Sequence, residues 1–327
     1  LVLADLTFPS LRVSAITAAP DPVTFRQGDG SLVTLWLKGD ERLRWAESTD
    51  GFTLLPGPDG SYYYAISDRD GNLVPSSFPA RDPGQRSQRE NLWLSTIPKG
   101  LWFNHSQASA LISRGNRLPD SDAPMMGGFP ATGTRKYLLI LANFSNTTAT
   151  YGPSAFQGFM NDPGYNGTGS FRDYFLEVSY GQLTVNTTVT AWVTLPNPHD
   201  YYGPQDKWGQ FAFDAVNAAV TAGINLAEFD NNADGIVDGI AIIHQGQGQE
   251  ETGNINDIWS HSWDLTSAGF SVAQRTFGNI SVNAYTTMPE RNATGMGTIG
   301  VVCHEFGHNL GAPDFYDTDY SIGGAYL

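Results

Sequence analysis

Val301–Asp317 reads VVCHEFGHNLGAPDFYD and holds two histidines four residues apart, His304 and His308, with Glu305 between them. On an α-helix that spacing separates the two side chains by about 40° around the axis and ~6 Å along it, so both imidazoles can reach one metal ion. Glu305 follows the first histidine directly and can face a water at that ion without binding the ion itself. Two neutral imidazoles plus a carboxylate suit Zn²⁺ with one coordination position left open. A chain with this residue content produces the HExxH pattern by chance in only about three of a thousand cases. Gly311, three residues after His308, can end the helix in a left-handed conformation, and Pro313 then prevents its resumption. The turn so made can bring Asp314 back as a third, oxygen ligand.

Working outward, the charge is divided unevenly. The 327 residues carry a net charge of −15, but residues 1–135 hold 13 Lys/Arg against 14 Asp/Glu, and residues 136–327 hold 5 against 19. A change that abrupt predicts two units: residues 1–120, a linker over 121–134 that overlaps the unpatterned Pro/Gly/Asp-rich stretch PDSDAPMMGGFPATG (Pro119–Gly133), and residues 135–327. So acidic a chain repels phosphate backbones, which argues against nucleic-acid binding, and no apolar run approaches the ~20 residues of a transmembrane helix. The single cysteine, Cys303, rules out an intrachain disulfide and four-cysteine zinc sites, and it reads as a small buried hydrophobe. Seven N-x-S/T sequons begin at Asn104, Asn143, Asn146, Asn166, Asn186, Asn279 and Asn292. That exceeds the roughly three expected by chance and fits a secreted glycoprotein.

In the first unit, Asp-Gly and Gly-Asn pairs separate alternating apolar runs, as in RQGDGSLVTLWLKGD (Arg26–Asp40), and this predicts short strands joined by hairpins over residues 20–80. A short helix is expected near Glu90–Ser95 in an otherwise irregular 81–120. The second unit mixes strands with helices, giving an α/β or α+β class. Buried strands are predicted at Tyr137–Phe144 and Ile236–His244, with one or two alternating strands over Leu183–Leu195. Helices are predicted at Ser170–Val178, where Phe171, Tyr174, Phe175 and Val178 share a face, at Asp206–Ala222, and from Thr298 to Leu310.

A second candidate metal site lies in DNNADGIVD. Asp230, Asn232, Asp234 and Asp238 stand at positions 1, 3, 5 and 9 of a calcium-type loop, with Gly235 at 6 and the Ile236 carbonyl at 7. Position 12 is Ala241, so the usual bidentate glutamate is absent; Glu250 or Glu251 could stand in for it. The alternative is an Asx-rich turn leading into the next strand. His244 and His261 read as hydrogen-bonded structural residues, and His105 and His199 as surface residues.

HEFGHNLGAPDFYD (His304–Asp317) resembles the active-site segment of the immune-inhibitor-A-like secreted zinc metalloproteases, relatives of the metzincins. The likeness extends through KYLLILANFSN (Lys136–Asn146), GSFRDYFLEVSYGQLTV (Gly169–Val185), FDNNADGIVDGIAIIHQGQGQEE (Phe229–Glu251), IWSHSWDL (Ile258–Leu265) and MGTIGVVCHEFGH (Met296–His308). Gly39–Ser76 is similar to the region that precedes the protease domain in that family. The resemblance implies a zincin/metzincin-like catalytic domain after a small β-rich pro-region, with zinc held by His304, His308 and Asp314, Glu305 as general base, and protein or peptide substrates. Calcium at the Asp230–Asp238 loop is a further expectation. Cysteine-based latency is excluded, since no cysteine precedes Cys303; Asp120 and Asp122 are candidates to block the zinc, and the region of Arg114 and Arg117 for processing. All five methionines precede His304, so the methionine turn that names the metzincins is missing, and the sequence reads as a fragment whose own activity is in doubt. The competing reading is a catalytically inactive, calcium-stabilised protease-like binding or surface protein.

Overall fold

The computed structural model describes residues 18–115 and 128–312. The first of these segments forms a six-stranded antiparallel meander, β1 (Val23–Arg26), β2 (Leu32–Gly39), β3 (Arg44–Ser48), β4 (Thr53–Pro56), β5 (Tyr62–Ser67) and β6 (Leu73–Pro79), each strand paired with the next in sequence. Four of its turns end in Asp-Gly, and Gly30, Gly51, Gly60 and Gly71 all have positive φ, a conformation in which a Cβ is costly. In β2, the alternation of Val33, Leu35 and Leu37 with exposed or half-buried neighbours puts the apolar residues on one face. The opposite face carries a smaller cluster of Leu43, Leu55, Ala65, Leu73 and Phe103, covered by Ala108 and Leu111 of α2 (His105–Gly115). Between them α1 (Gln88–Leu94) is closed by a reciprocal capping box of Ser87 and Glu90.

The second segment is built on a five-stranded sheet, order β10-β13-β9-β7-β8. Its strands are β7 (Gly133–Asn143), β8 (Leu183–Thr194), β9 (Ile240–His244), β10 (His261–Asp264) and β13 (Ala284–Pro289). All pairings are parallel except that of the edge strand β10 with β13. A parallel sheet is buried on both faces, which is why residues 137–142 are uniformly apolar and fully buried. One face carries Tyr137, Leu139, Leu141, Ala241, Ile243 and Met288. It is covered by α3 (Pro153–Asn161), α4 (Phe171–Val178) and α8 (Ile299–Asn309). The other carries Leu138, Ile140, Ala142, Ile240 and Ile242, packed by α6 (Trp208–Thr221) in one continuous core that includes the inner face of the meander. Short helices α5 (His199–Tyr202) and α7 (Gln249–Thr252) and a two-stranded ribbon of β11 (Thr276–Phe277) and β12 (Ile280–Ser281) complete the strands and α-helices among the described residues.

The predicted mixed α/β class behind a β-rich first region matches this arrangement, with local differences. Strand β9 begins at Ile240 rather than Ile236, because Ile236 bridges Ser281 and the Val237 N–H bonds to the Ser281 carbonyl instead. The predicted stretch Leu183–Leu195 holds a single long strand, Leu183–Thr194. The helix expected from Asp206 begins at Trp208, after a 3₁₀ turn over Gln205–Lys207. Helices α2 and α3 were not expected. His199, expected at the surface, is half-buried with Nε2 3.0 Å from Asp257 and Nδ1 3.0 Å from Asp200. Of the sequon asparagines, Asn146, Asn166, Asn186 and Asn279 are exposed, whereas the side-chain oxygen of Asn143 is buried. The region of Asp120, Asp122 and Arg117 lies outside the described residues, as does the side chain of Arg114.

Besides their shared apolar core, the meander meets the five-stranded unit through the Arg44 side chain. The Arg44 guanidinium lies 5.7 Å from the Trp208 ring and 5.8 Å from the Trp259 ring, and burial holds its pKa below the usual arginine value. Nearby, the Tyr62 hydroxyl donates to the Gly253 carbonyl at 3.0 Å. A desolvated cation over two indoles contributes about 2 kcal/mol. Arg44→Ala should therefore lower the unfolding free energy by roughly that amount, seen as a lower urea midpoint. Arg44→Lys should recover only part of it, because an ammonium cannot stack as a plane.

Candidate active site

Helix α8 carries the HExxH residues. It begins after Thr298, which is extended (φ −93°, ψ 161°), and ends at Leu310. Gly311 follows at φ +86°, its N–H bonded to the His308 carbonyl and the Ala312 N–H to that of Gly307. This is the left-handed stop expected of a glycine in that place.

What fixes the rotation of α8 is Phe306. Its ring is fully buried and meets Phe129, Tyr137, Phe171 and Phe175 with centroids 4.8, 4.8, 5.1 and 4.7 Å away. Position 306 is about 160° around the helix from both 304 and 308, so seating Phe306 in that socket turns both histidines away from the core. Their ring centroids are 4.9 Å apart with planes at 82°, and both residues are half-buried. The His308 Nδ1 lies 2.9 Å from the Ala312 carbonyl oxygen. In the tautomer this bond selects, Nε2 carries the lone pair.

Glu305 is 2% exposed and lies between the histidine face and the sheet. Beneath it, Asn309 Nδ2 donates to the Tyr137 hydroxyl at 3.2 Å, and that hydroxyl is 3.3 Å from Thr286 Oγ1. Burial first, and then the nearby charge of Glu305, raise the Tyr137 hydroxyl pKa, so it stays a neutral hydrogen-bonding group. Neither Tyr137, Asn309 nor Thr286 was singled out in the sequence; the only local hint was Asn309, which directly follows the motif. Gly239 makes room for this group, since a Cβ there would lie 2.9 Å from Asn309 Nδ2.

The structure brings His304 and His308 together and buries Glu305 beside them, while Asp314 lies outside the described residues. Among the described residues no three His, Cys, Asp or Glu groups gather as a metal site. The donor chemistry nevertheless fits zinc: two imidazoles on one helix face, one with its outer nitrogen bonded to a carbonyl, and a carboxylate next to them. Cys303 is buried in the core, and burial pushes its thiol pKa up.

In the Asp230–Asp238 loop the oxygens turn towards the loop's own backbone. Asp230 accepts from the N–H groups of Asp234 and Gly235, Asn232 from Asp234, and Asp234 from Ile236. Asp238 Oδ2 accepts from Asn231, whereas its Oδ1 is buried without a hydrogen-bond partner. Glu250 and Glu251 do not complete this loop. Glu250 is bonded to Ser260 and Glu251 to the Ala293 N–H, at the far end of β9. His244 and His261 are buried; burial pulls the first down to about 4 and the second to about 3. His261 bonds to the Trp259 carbonyl and the Tyr285 hydroxyl and stacks on Trp208, which fits a structural role.

A model of the immune inhibitor A peptidase M6 catalytic domain matches residues 143–326. Immune inhibitor A of Bacillus thuringiensis subsp. alesti is 36% identical over 46% of this chain and 26% of its own length. Pre-pro-metalloprotease PrtV of Vibrio cholerae serotype O1 (strain M66-2) is 29% identical over 52% of this chain and 22% of its own. The chain spans about a quarter of the length of the curated relatives it matches. The meander lies outside the residues that the family model matches.

Gly239→Ala should displace the Asn309 amide and cost about 1–3 kcal/mol through the strained contact and the buried groups it leaves unbonded. A thermal scan reads the loss, and Asn309→Ala in the same background should recover part of it.

Proposed function

This chain belongs to the immune inhibitor A peptidase M6 family, and from that membership we propose that it is the zinc endopeptidase portion of a secreted protein. The observation that carries the proposal is the His304–His308 pair facing away from the core with Glu305 buried beside it, within the residues the family model matches. His304, His308 and Asp314 would hold the zinc. When bound, zinc acidifies a water and polarises the carbonyl of the peptide bond to be cleaved. Glu305 accepts the proton of the attacking water on its carboxylate and passes it to the leaving amide nitrogen. The Tyr137–Asn309–Thr286 group holds the helix segment that carries Glu305, and the Ala312 carbonyl orients the His308 ring.

A metzincin-like architecture is part of the proposal, supported by the helix stop at Gly311 three residues beyond His308. So is a division into a pro-region over 1–120, a linker over 121–134 and a catalytic unit over 135–327. The name of the Vibrio relative, a pre-pro-metalloprotease, supports both an N-terminal pro-region and export. The exposed sequon asparagines also fit export, and among the described residues no helix is long and apolar enough to cross a membrane.

Glu305→Gln in the full-length protein should keep its zinc and lose kcat/KM on casein by roughly 10²–10⁴-fold, while His308→Ala should lose the metal as well. Casein hydrolysis by Glu305→Gln at the wild-type rate would sink the assignment.

We also propose that Asp230, Asn232, Asp234, Ile236 and Asp238 take up Ca²⁺. The support is Asp238, 1% exposed, with one carboxylate oxygen buried and unbonded and its pKa raised by burial. Millimolar calcium should raise the melting temperature of the wild type but not of Asp234→Ala, as expected for a ligand that binds only the folded state. An equal response in both proteins would remove the site.

A further inference from the structure

The last carbonyls of a helix have no partner within it. At the end of α8, those of Phe306, Gly307 and His308 accept from the N–H groups of Leu310, Gly311 and Ala312, which follow in the chain. The Asn309 carbonyl is bonded differently. It accepts at 3.0 Å from the N–H of Phe129, a residue that precedes β7.

The Phe129 ring reaches the same helix end from below. It is 4% exposed and meets the Phe306 ring edge-to-face at 4.8 Å and the Tyr137 ring edge-to-face at 5.7 Å. Phe129 thus touches both devices that hold α8. One is the aromatic socket of Phe306, and the other is Tyr137, whose hydroxyl accepts from the Asn309 amide. Its own position is fixed from the sheet side. Pro130 follows with a restricted φ, and the Gly133 N–H, at the start of β7, donates to the Gln182 carbonyl at 2.7 Å. Phe129 precedes the residues that the family model matches and falls within the linker proposed over 121–134, yet it is packed into the core beneath the histidine helix.

We propose that Phe129 is a positioning residue for His304, Glu305 and His308, acting through Phe306 and Asn309, and that a cut freeing the first unit leaves a working site only when it falls N-terminal to Phe129. The proposal rests on the reading of the chain as a peptidase behind a pro-region. The stretch of Arg114 and Arg117, expected for processing, lies on the permitted side.

The test compares Phe129→Leu and Phe129→Ala with Phe159→Leu and Phe159→Ala in the full-length protein. Phe159 belongs to the same apolar cluster but packs on Phe156 and Tyr165 instead of Phe306. All variants are assayed on one peptide substrate, below the temperature at which any of them unfolds. Because a displacement of about 1 Å costs up to ~100-fold in rate, Phe129→Leu should lower kcat about tenfold with KM nearly unchanged, and Phe129→Ala should lower it further. Phe159→Leu should keep the wild-type kcat. A wild-type kcat in Phe129→Leu, or an equal loss in Phe159→Leu, would overturn the positioning role. Hydrogen exchange of the Cys303–Leu310 amides needs neither metal nor activity and so separates this failure from a failure of the peptidase reading. It should quicken by about tenfold in Phe129→Ala and stay unchanged in Phe159→Ala, since only the first unseats the helix end. Unchanged exchange in Phe129→Ala would overturn the role even if the enzyme cleaves casein. The active, secreted enzyme should have its N-terminus at or before Phe129 on sequencing, and an active form that begins after Phe129 would overturn the limit on the cut.

Discussion

The candidate site depends on one packing contact, the seating of Phe306 among Phe129, Tyr137, Phe171 and Phe175. A helix can turn about its axis at little cost unless something large on one side locks it. Phe306 supplies the lock from the face opposite the histidines, and its partners come from β7, α4 and the segment before β7. Each is held in turn by the sheet and by the Ser170–Asp173 capping box that starts α4. The directions of His304, Glu305 and His308 thus follow from an aromatic core on the opposite side of the helix.

A second layer of constraint is polar. Asn309, Tyr137 and Thr286 form a buried hydrogen-bonded group under α8, and Gly239 leaves the gap into which the Asn309 amide fits. Buried polar groups are costly unless bonded, so once made this group defines a single register of helix against strand. Packing fixes the rotation of α8 and hydrogen bonds fix its position.

What could be read from the sequence was local. Strand β7, helix α4 and helix α8 announce themselves through apolar period, capping residues and a glycine stop, all within a dozen residues. Helix α3 carries Phe156, Phe159 and Met160 at helical spacing, but Gly158, a poor helix former, sits in its middle, and only Pro153 at its first position marks its start. The start of β9 was misplaced because Ile236 is apolar like its neighbours, and only its pairing with Ser281 shows that it belongs to another ladder. His199 reads as a surface histidine because Asp257, which pairs with it, is far away in the chain. The same holds for Tyr137, whose partners Thr286 and Asn309 are 149 and 172 residues distant. The HExxH pair was legible because the helix that aligns it is local, whereas Asp314, the proposed third ligand, lies outside the described residues.

The meander pairs every strand with its successor, whereas in the five-stranded sheet Leu138 must find Ile240, about a hundred residues later. Loop-closure entropy makes the first arrangement fast and the second slow. As synthesis proceeds from the N-terminus, the meander can close before β9 and β13 exist. Its inner face, which ends in the same core as Ile140 and Ile242, then offers the emerging strands an ordered apolar surface to condense upon. The order of synthesis thus favours nucleation in the meander before the strands of the five-stranded sheet are joined.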